Sequence, residues 1–130
     1  MRTIRLGAGE LAGLASEIVS RGSPLAFRVQ GASMLPALAS GDRVVLAPAE
    51  PGDLVPGEIV MTSGSRPLVH RLVRVELETR TLVTRGDALD EDDPPVPFEL
   101  LVGRVVAVKR PLLSRARRRL GRLLRVLGLR

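Results

Sequence analysis

The sequence contains no cysteine, tryptophan or tyrosine, and only one histidine and one lysine among its 130 residues. The absence of cysteine excludes disulfides, thiolate nucleophiles, zinc ribbons and iron–sulfur clusters. Two phenylalanines are too few for a surface that stacks nucleic-acid bases on aromatic rings. The uncharged runs are too short for a membrane-spanning helix, and residues 1–13 lack the apolar core of a secretory signal peptide. We therefore expect a cytoplasmic or peripheral membrane protein without a transmembrane segment.

The formal net charge of +6 conceals a division along the chain. Residues 110–130 contain eight of the 20 basic residues and none of the 14 acidic ones, so residues 1–109 carry a charge of −2. The basic character therefore belongs to a tail, and nucleic acid is not expected as a partner of the body.

The pattern of the remaining residues predicts one domain with three parts. Residues 1–24 form an N-terminal helical segment, because apolar residues recur at helical spacing over 8–20. Residues 25–110 form a β body and residues 111–130 an arginine-rich tail. The expected strands are 25–30, 43–47, 58–62, 68–76, 81–85 and 101–109, with a loop over 90–97. Six short strands without intervening helices predict a mainly β fold, a small antiparallel barrel-like sheet.

The tail has leucines along one helical stripe and arginines on its other faces over residues 112–130. This pattern predicts a basic amphipathic helix and is typical of segments that lie in an anionic membrane surface. A helix packed on the β body with its basic face in water is the alternative.

Hydroxyl groups are the candidate nucleophiles, because cysteine is absent, and a hydroxyl needs a neighbouring base. The sole histidine, His70, lies within the predicted strand 68–76, where the period of two places it on one face with Leu68 and Leu72. Apolar surroundings favour the neutral imidazole, which can accept a proton. A purely structural histidine is the alternative.

Ser33 is the most unusual hydroxyl, since it follows a predicted strand and comes two residues after Gly31. Gly31 permits a positive φ, and such a turn can direct backbone N–H groups at one point, as an oxyanion site requires. The alternative is that Ser33 caps a helical turn over 34–39.

Several carboxylates follow this region, beginning at Asp87 and continuing over 90–93. A carboxylate on the second imidazole nitrogen would fix the tautomer of His70 and stabilise its protonated form. The spacing lacks the regular pattern of a calcium loop, so neither a metal nor another cofactor is predicted. A solvated acidic loop is the alternative.

Three groups of motifs, taken together over residues 25–108, resemble the catalytic body of type I signal peptidases and their serine-peptidase relatives, including LexA-type repressors. The first is GASMLP at 31–36 with GDRVV at 41–45. The second is PGEIV at 56–60 leading to VHRLV at 69–73. The third is TRGD at 84–87 leading to DD at 92–93, with VGRV at 102–105.

The resemblance implies a mostly antiparallel β fold of the signal-peptidase type. It also implies hydrolysis of a peptide bond after a small residue, in an extended precursor or signal-type peptide. Ser33 would be the nucleophile and His70 the general base, as in the endoplasmic-reticulum-type enzymes, whereas most bacterial members have lysine there. Asp93 would be the orienting acid, with Asp92 or Asp87 as alternatives.

The sequence departs from this pattern in three respects. It is expected to lack the membrane anchor found in members that process secreted precursors. The stretch between Gly41 and Gly57, which is apolar in those members, carries four charged residues. Gly31 stands where some relatives have a serine that helps to hold the oxyanion, so the Ser33 N–H would contribute more of that stabilisation.

Two other functions are open on the residues alone. One is a non-catalytic β module that its arginine-rich tail docks to a membrane or to nucleic acid. The other is a self-cleaving module, for which the bond between Ala12 and Gly13 offers small residues.

Overall fold

A computed structural model of the protein describes residues 17, 19, 21–23 and 25–111. Glu17 and Val19 are helical, whereas the rest of the predicted N-terminal helix and the predicted tail helix over 112–130 lie outside the described residues. The described part of the chain contains no helix that is both long enough and apolar enough to cross a bilayer.

Seven strands form one antiparallel sheet, which curls into a half-barrel. Along the sheet their order is β1-β2-β7-β3-β4-β5-β6, so β1 and β6 are the edge strands. The mainly β, antiparallel fold predicted from the sequence is confirmed. The strands are β1 (Leu25–Arg28), β2 (Arg43–Ala47), β3 (Ile59–Thr62), β4 (Leu68–Glu76), β5 (Thr81–Arg85), β6 (Val96–Pro97) and β7 (Leu101–Lys109).

Three strands differ from the prediction. The third strand begins one residue later than expected, at Ile59, and the other two differ for local reasons. The first strand ends at Arg28 instead of residue 30, because Val29 bonds to the far end of the following loop. The predicted loop over 90–97 is wrong at its end, where Val96 and Pro97 form a short strand beside β5. Proline is tolerated there because an edge strand has no neighbour on one side that needs its N–H.

Apolar side chains from the strands and from the loop after β1 fill the core. Met34 and Leu38 of that loop are each 1% exposed and pack with Val29 and Val44. Burying a side chain of this size stabilises the fold by about 1.5–3 kcal/mol. The loop that carries Ser33 is therefore part of the core and is fixed on the sheet.

Candidate active site

Ser33 lies in the loop over residues 29–42, which is closed at its base by backbone hydrogen bonds. The Val29 N–H donates to the Asp42 carbonyl at 2.7 Å, and the Gly41 N–H donates to the Val29 carbonyl at 2.9 Å. Gly31 has a φ of +84°, in the left-handed region that glycine adopts without steric cost. The positive φ predicted as permissible at Gly31 is thus present, and the turn projects Ser33 from a fixed base.

A buried carboxylate fixes the same loop from its other side. Asp42 is 2% exposed, and its Oδ2 accepts a hydrogen bond from the Ala39 N–H at 3.0 Å. Arg110, directly after β7, places its Nε 3.8 Å from that oxygen and donates from Nη2 to the Ala37 carbonyl at 3.3 Å. The loop is therefore bonded within itself and to the end of β7.

His70 projects from β4 into the protein and is 4% exposed. Its neighbours at alternate positions, Leu68 and Leu72, are half-buried and buried, so the predicted face of the strand is confirmed. The Ser33 Oγ lies 3.0 Å from His70 Nε2, and His70 Nδ1 lies 2.5 Å from Asp93 Oδ2. The structure thus brings together the hydroxyl, the imidazole and a carboxylate that the sequence singles out.

The direction of these hydrogen bonds follows from the chemistry of the groups. An ionised carboxylate can only accept hydrogen bonds, so His70 Nδ1 carries the proton and donates it to Asp93. In the neutral imidazole the other nitrogen, Nε2, then has a free lone pair and accepts from the Ser33 O–H. In this tautomer, the imidazole is ready to receive the serine proton.

Thr84 fixes Asp93 through two contacts, a role that sequence reasoning missed. The Thr84 hydroxyl donates to Asp93 Oδ2 at 2.7 Å, and the Asp93 N–H donates to the Thr84 carbonyl at 2.8 Å. Thr84 is 3% exposed at the end of β5. A buried hydroxyl needs a hydrogen-bond partner, and this requirement is the only feature of the sequence that could have indicated the role of Thr84.

The other two candidate carboxylates bind arginines and form no hydrogen bond with His70. Asp92 accepts from Arg85 Nε at 2.8 Å and from Arg74 Nη1 at 3.4 Å. Asp87 pairs with Arg71 through two bonds of 2.8 and 2.7 Å. These bonds from Arg71 hold the pKa of the Asp87 carboxyl below its ordinary value, against the opposing effect of partial burial. Of the three candidates, only Asp93 meets the imidazole.

The turn over residues 86–89 packs directly against Ser33, which the sequence did not indicate. The Ala88 N–H donates to the Ser33 carbonyl at 2.9 Å, and the Asp87 N–H points at the Met34 sulfur at 3.4 Å. A Cβ added at Gly86 would lie 2.6 Å from the Ser33 carbonyl oxygen. Glycine is therefore required at this position for the two segments to approach.

Arg71 joins this turn to a third segment of the chain. In addition to its pair with Asp87, its Nη1 donates to the Gly57 carbonyl at 2.8 Å. Hydrogen bonds thus link the motif regions around residues 33, 57, 71 and 87.

The alternative role considered for Ser33 was to cap a helical turn over residues 34–39. The structure has one backbone hydrogen bond of that turn, from the Leu38 N–H to the Met34 carbonyl, and the Ser33 hydroxyl bonds to His70. No group of three or more histidine, aspartate and glutamate side chains within the described residues could hold a metal ion.

The arrangement can activate a hydroxyl for attack on a carbonyl carbon. A base within hydrogen-bond distance of the hydroxyl, itself oriented by a carboxylate, is the requirement for nucleophilic catalysis by serine. No protein-family model matches the chain, and none of the curated proteins compared with it matches its sequence.

Proposed function

We propose that the protein is a serine endopeptidase of the type I signal-peptidase kind, which hydrolyses a peptide bond after a small residue in a precursor or signal-type peptide. The observation that carries the proposal is the unbroken hydrogen-bond chain from Ser33 Oγ through His70 to Asp93. Serine, histidine and aspartate in this order of contact perform acyl transfer on several unrelated folds. The motif resemblance supports peptide as the substrate.

The reaction begins when Ser33 Oγ attacks the substrate carbonyl carbon and His70 Nε2 takes the hydroxyl proton. Asp93 stabilises the imidazolium that forms. As the tetrahedral intermediate collapses, the carbon–nitrogen bond breaks and Nε2–H protonates the leaving amine. Water then attacks the acyl-enzyme with His70 again as base, which releases the carboxylate product and restores the Ser33 hydroxyl.

The developing oxyanion needs a hydrogen-bond donor that is not already engaged. The Ser33 N–H donates to none of the residues that the structure describes, while the Ser33 carbonyl accepts from Ala88. This N–H is adjacent to the attacking oxygen and is our candidate donor.

An extended substrate can be accommodated at the free edge of β1. Within the described part of the chain, β1 pairs only with β2, so its other edge has backbone groups available for an added strand. Ser33 follows the end of this strand by five residues. We propose that the peptide lies along this edge, with its scissile bond at Ser33.

A peptidyl phosphonate with alanine next to the phosphorus tests the proposal directly. We expect one adduct per chain, on Ser33 Oγ, because this hydroxyl alone is bonded to the imidazole. Peptide mapping by mass spectrometry identifies the modified residue, and denatured protein serves as the control. Labelling of another hydroxyl, or equal labelling of the denatured chain, would contradict the assignment.

Substituting Gly86 by alanine should displace Ser33 without removing a functional group of Ser33, His70 or Asp93. The new Cβ of residue 86 would lie 2.6 Å from the Ser33 carbonyl oxygen and 3.1 Å from the Ser33 Cβ, so the backbone must shift. A displacement of about 1 Å at a reacting group can lower the rate about 100-fold. We expect phosphonate labelling of Ser33 to slow by about that factor.

Gly64→Ala is the matched control, because a Cβ there meets no atom within 4 Å. We expect it to label at the wild-type rate. Comparable rates for the two variants would show that contact with Gly86 does not position the nucleophile.

A further inference from the structure

Three cationic side chains lie in one row across the sheet. Arg28 of β1 is directly opposite Arg43 of β2, and Arg43 is directly opposite Lys109 of β7. Directly opposed residues in an antiparallel sheet project from the same face. All three are exposed, and adjacent strands are about 4.7–4.9 Å apart, so this cation row spans about 10 Å.

The cation row has no counter-charge in the described structure. None of its three members forms an ion pair or a side-chain hydrogen bond with a described residue. Other arginines of the sheet do: Arg71 pairs with Asp87, and Arg85 with Asp92. Like charges directly opposite each other destabilise a sheet. An exposed and unbalanced row of this kind favours the binding of an external anion.

The surface beside the cation row is small and apolar. Ala26, Val45 and Ala107 form the next row on the same face, since Ala26 is opposite Val45 and Val45 is opposite Ala107. Val106, at the irregularity where β2 and β7 shift register, is 57% exposed. Cations beside short apolar side chains suit the headgroup region of a bilayer. The row has no aromatic side chain on which a nucleic-acid base could stack.

We infer that the cation row and the apolar row beside it form a docking surface for an anionic lipid bilayer. Lys109 is the last residue of β7, and the arginine-rich residues 110–130 follow directly, so the two basic regions are continuous along the chain. Arg28 precedes Ser33 by five residues. Docking through this row therefore brings the loop over 29–42 to the lipid surface, where a membrane-bound precursor presents its cleavage site. That final consequence rests on the proposed function, whereas the docking itself does not.

Vesicle binding by the full chain tests the docking surface. The variant Arg28→Gln/Arg43→Gln/Lys109→Gln is compared with wild type on vesicles of phosphatidylglycerol with phosphatidylcholine and on vesicles of phosphatidylcholine alone. Each basic residue near an anionic surface strengthens binding about fivefold, so we expect a loss of about 100-fold on the anionic vesicles. Binding to the neutral vesicles should be weak for both proteins.

The control variant Arg21→Gln/Arg66→Gln/Arg80→Gln changes the net charge equally but at exposed sites outside the row. We expect it to lose less than about fivefold. Equal losses in the two variants, or no loss in the first, would overturn the proposal. The proposal would also be overturned if the row substitutions weakened the binding of DNA or RNA but not the binding of vesicles.

Phosphonate labelling of Ser33 separates this proposal from the peptidase proposal when it is measured in Arg43→Gln/Lys109→Gln, which leaves β1 unchanged, and in the control variant. The substituted side chains do not contact Ser33, His70 or Asp93, so labelling should remain at the wild-type rate. If the wild-type protein is labelled at Ser33 but does not bind anionic vesicles, only the docking proposal fails. If the wild-type protein binds vesicles but is not labelled, only the proposed activity fails. The thermal midpoint of the row variant should be no lower than that of wild type, because like charges are removed.

Discussion

Replacing Ser33 by alanine, or His70 by alanine, is expected to lower peptide hydrolysis by about 10⁴-fold or more. The first substitution removes the attacking oxygen, and the second removes the imidazole that accepts its proton. Ser33 Oγ and His70 Nε2 are joined by one hydrogen bond of 3.0 Å. Residues that act as a unit do not contribute additively, so the double variant should be no slower than either single one. The measurement is the release of product from a fluorogenic peptide with alanine before the scissile bond.

Ser65→Ala provides the matched control, because Ser65 is an exposed hydroxyl before β4 with no side-chain partner among the described residues. We expect it to hydrolyse the peptide at the wild-type rate. The chain offers no second histidine for a corresponding control. Hydrolysis near the wild-type rate in either Ser33→Ala or His70→Ala would exclude the proposed mechanism.

The second large effect is expected from Asp93→Asn, which should lower hydrolysis by about 10³–10⁴-fold. The amide keeps the shape of the carboxylate, but its N–H₂ group can face His70 Nδ1. That nitrogen must then accept, so the proton moves to Nε2, and Nε2 can no longer take a proton from Ser33. The ratio of kcat/KM between variant and wild type measures the loss.

Asp92→Asn is the control for this substitution at the adjacent position. Asp92 forms exposed ion pairs with Arg85 and Arg74, and such pairs contribute about 0–1 kcal/mol. We expect its rate to stay within about tenfold of wild type. If Asp92→Asn loses as much as Asp93→Asn, or if Asp93→Asn retains its rate, Asp93 does not orient the imidazole.

The strands that the sequence predicts well are those with alternating or continuous aliphatic residues. β2, β4, β5 and β7 begin and end where the pattern places them. β6 was missed because a two-residue strand that includes a proline shows no periodicity, and its strand character depends on pairing with β5. The early end of β1 likewise depends on a contact outside the strand, because the Val29 carbonyl accepts from the Gly41 N–H, one residue out of the β1–β2 register.

Part of the candidate site could be predicted because the sequence contains so few side chains that could act as nucleophile or base. A chain without cysteine and with one histidine leaves few combinations of nucleophile and base, and strand periodicity gave the face of His70. The motif resemblance indicated Asp93 among the neighbouring carboxylates. The resemblance to signal peptidases itself and the activity that it implies stay proposals.

The contacts that sequence reasoning missed depend on the folded arrangement of the chain. Gly86 approaches Ser33 only when the turn after β5 lies beside the loop over 29–42. The hydroxyl of Thr84 meets Asp93, and Arg71 meets Asp87, only when the segment after β5 folds back beside β5 and β4. The cation row is a further case, because the register of β1, β2 and β7 decides which cations are neighbours.

Under the proposed function, the placement of Ser33, His70 and Asp93 on three separate segments makes the reactivity of the site a property of the native state alone. A nascent or denatured chain contains the same hydroxyl and imidazole, separated by 37 positions and with no preferred distance between them. Acylation of Ser33 can accordingly serve as an internal reporter of global folding. During synthesis the chain should stay inert towards polypeptides around it until β7, which joins β2 to β3, has emerged and paired.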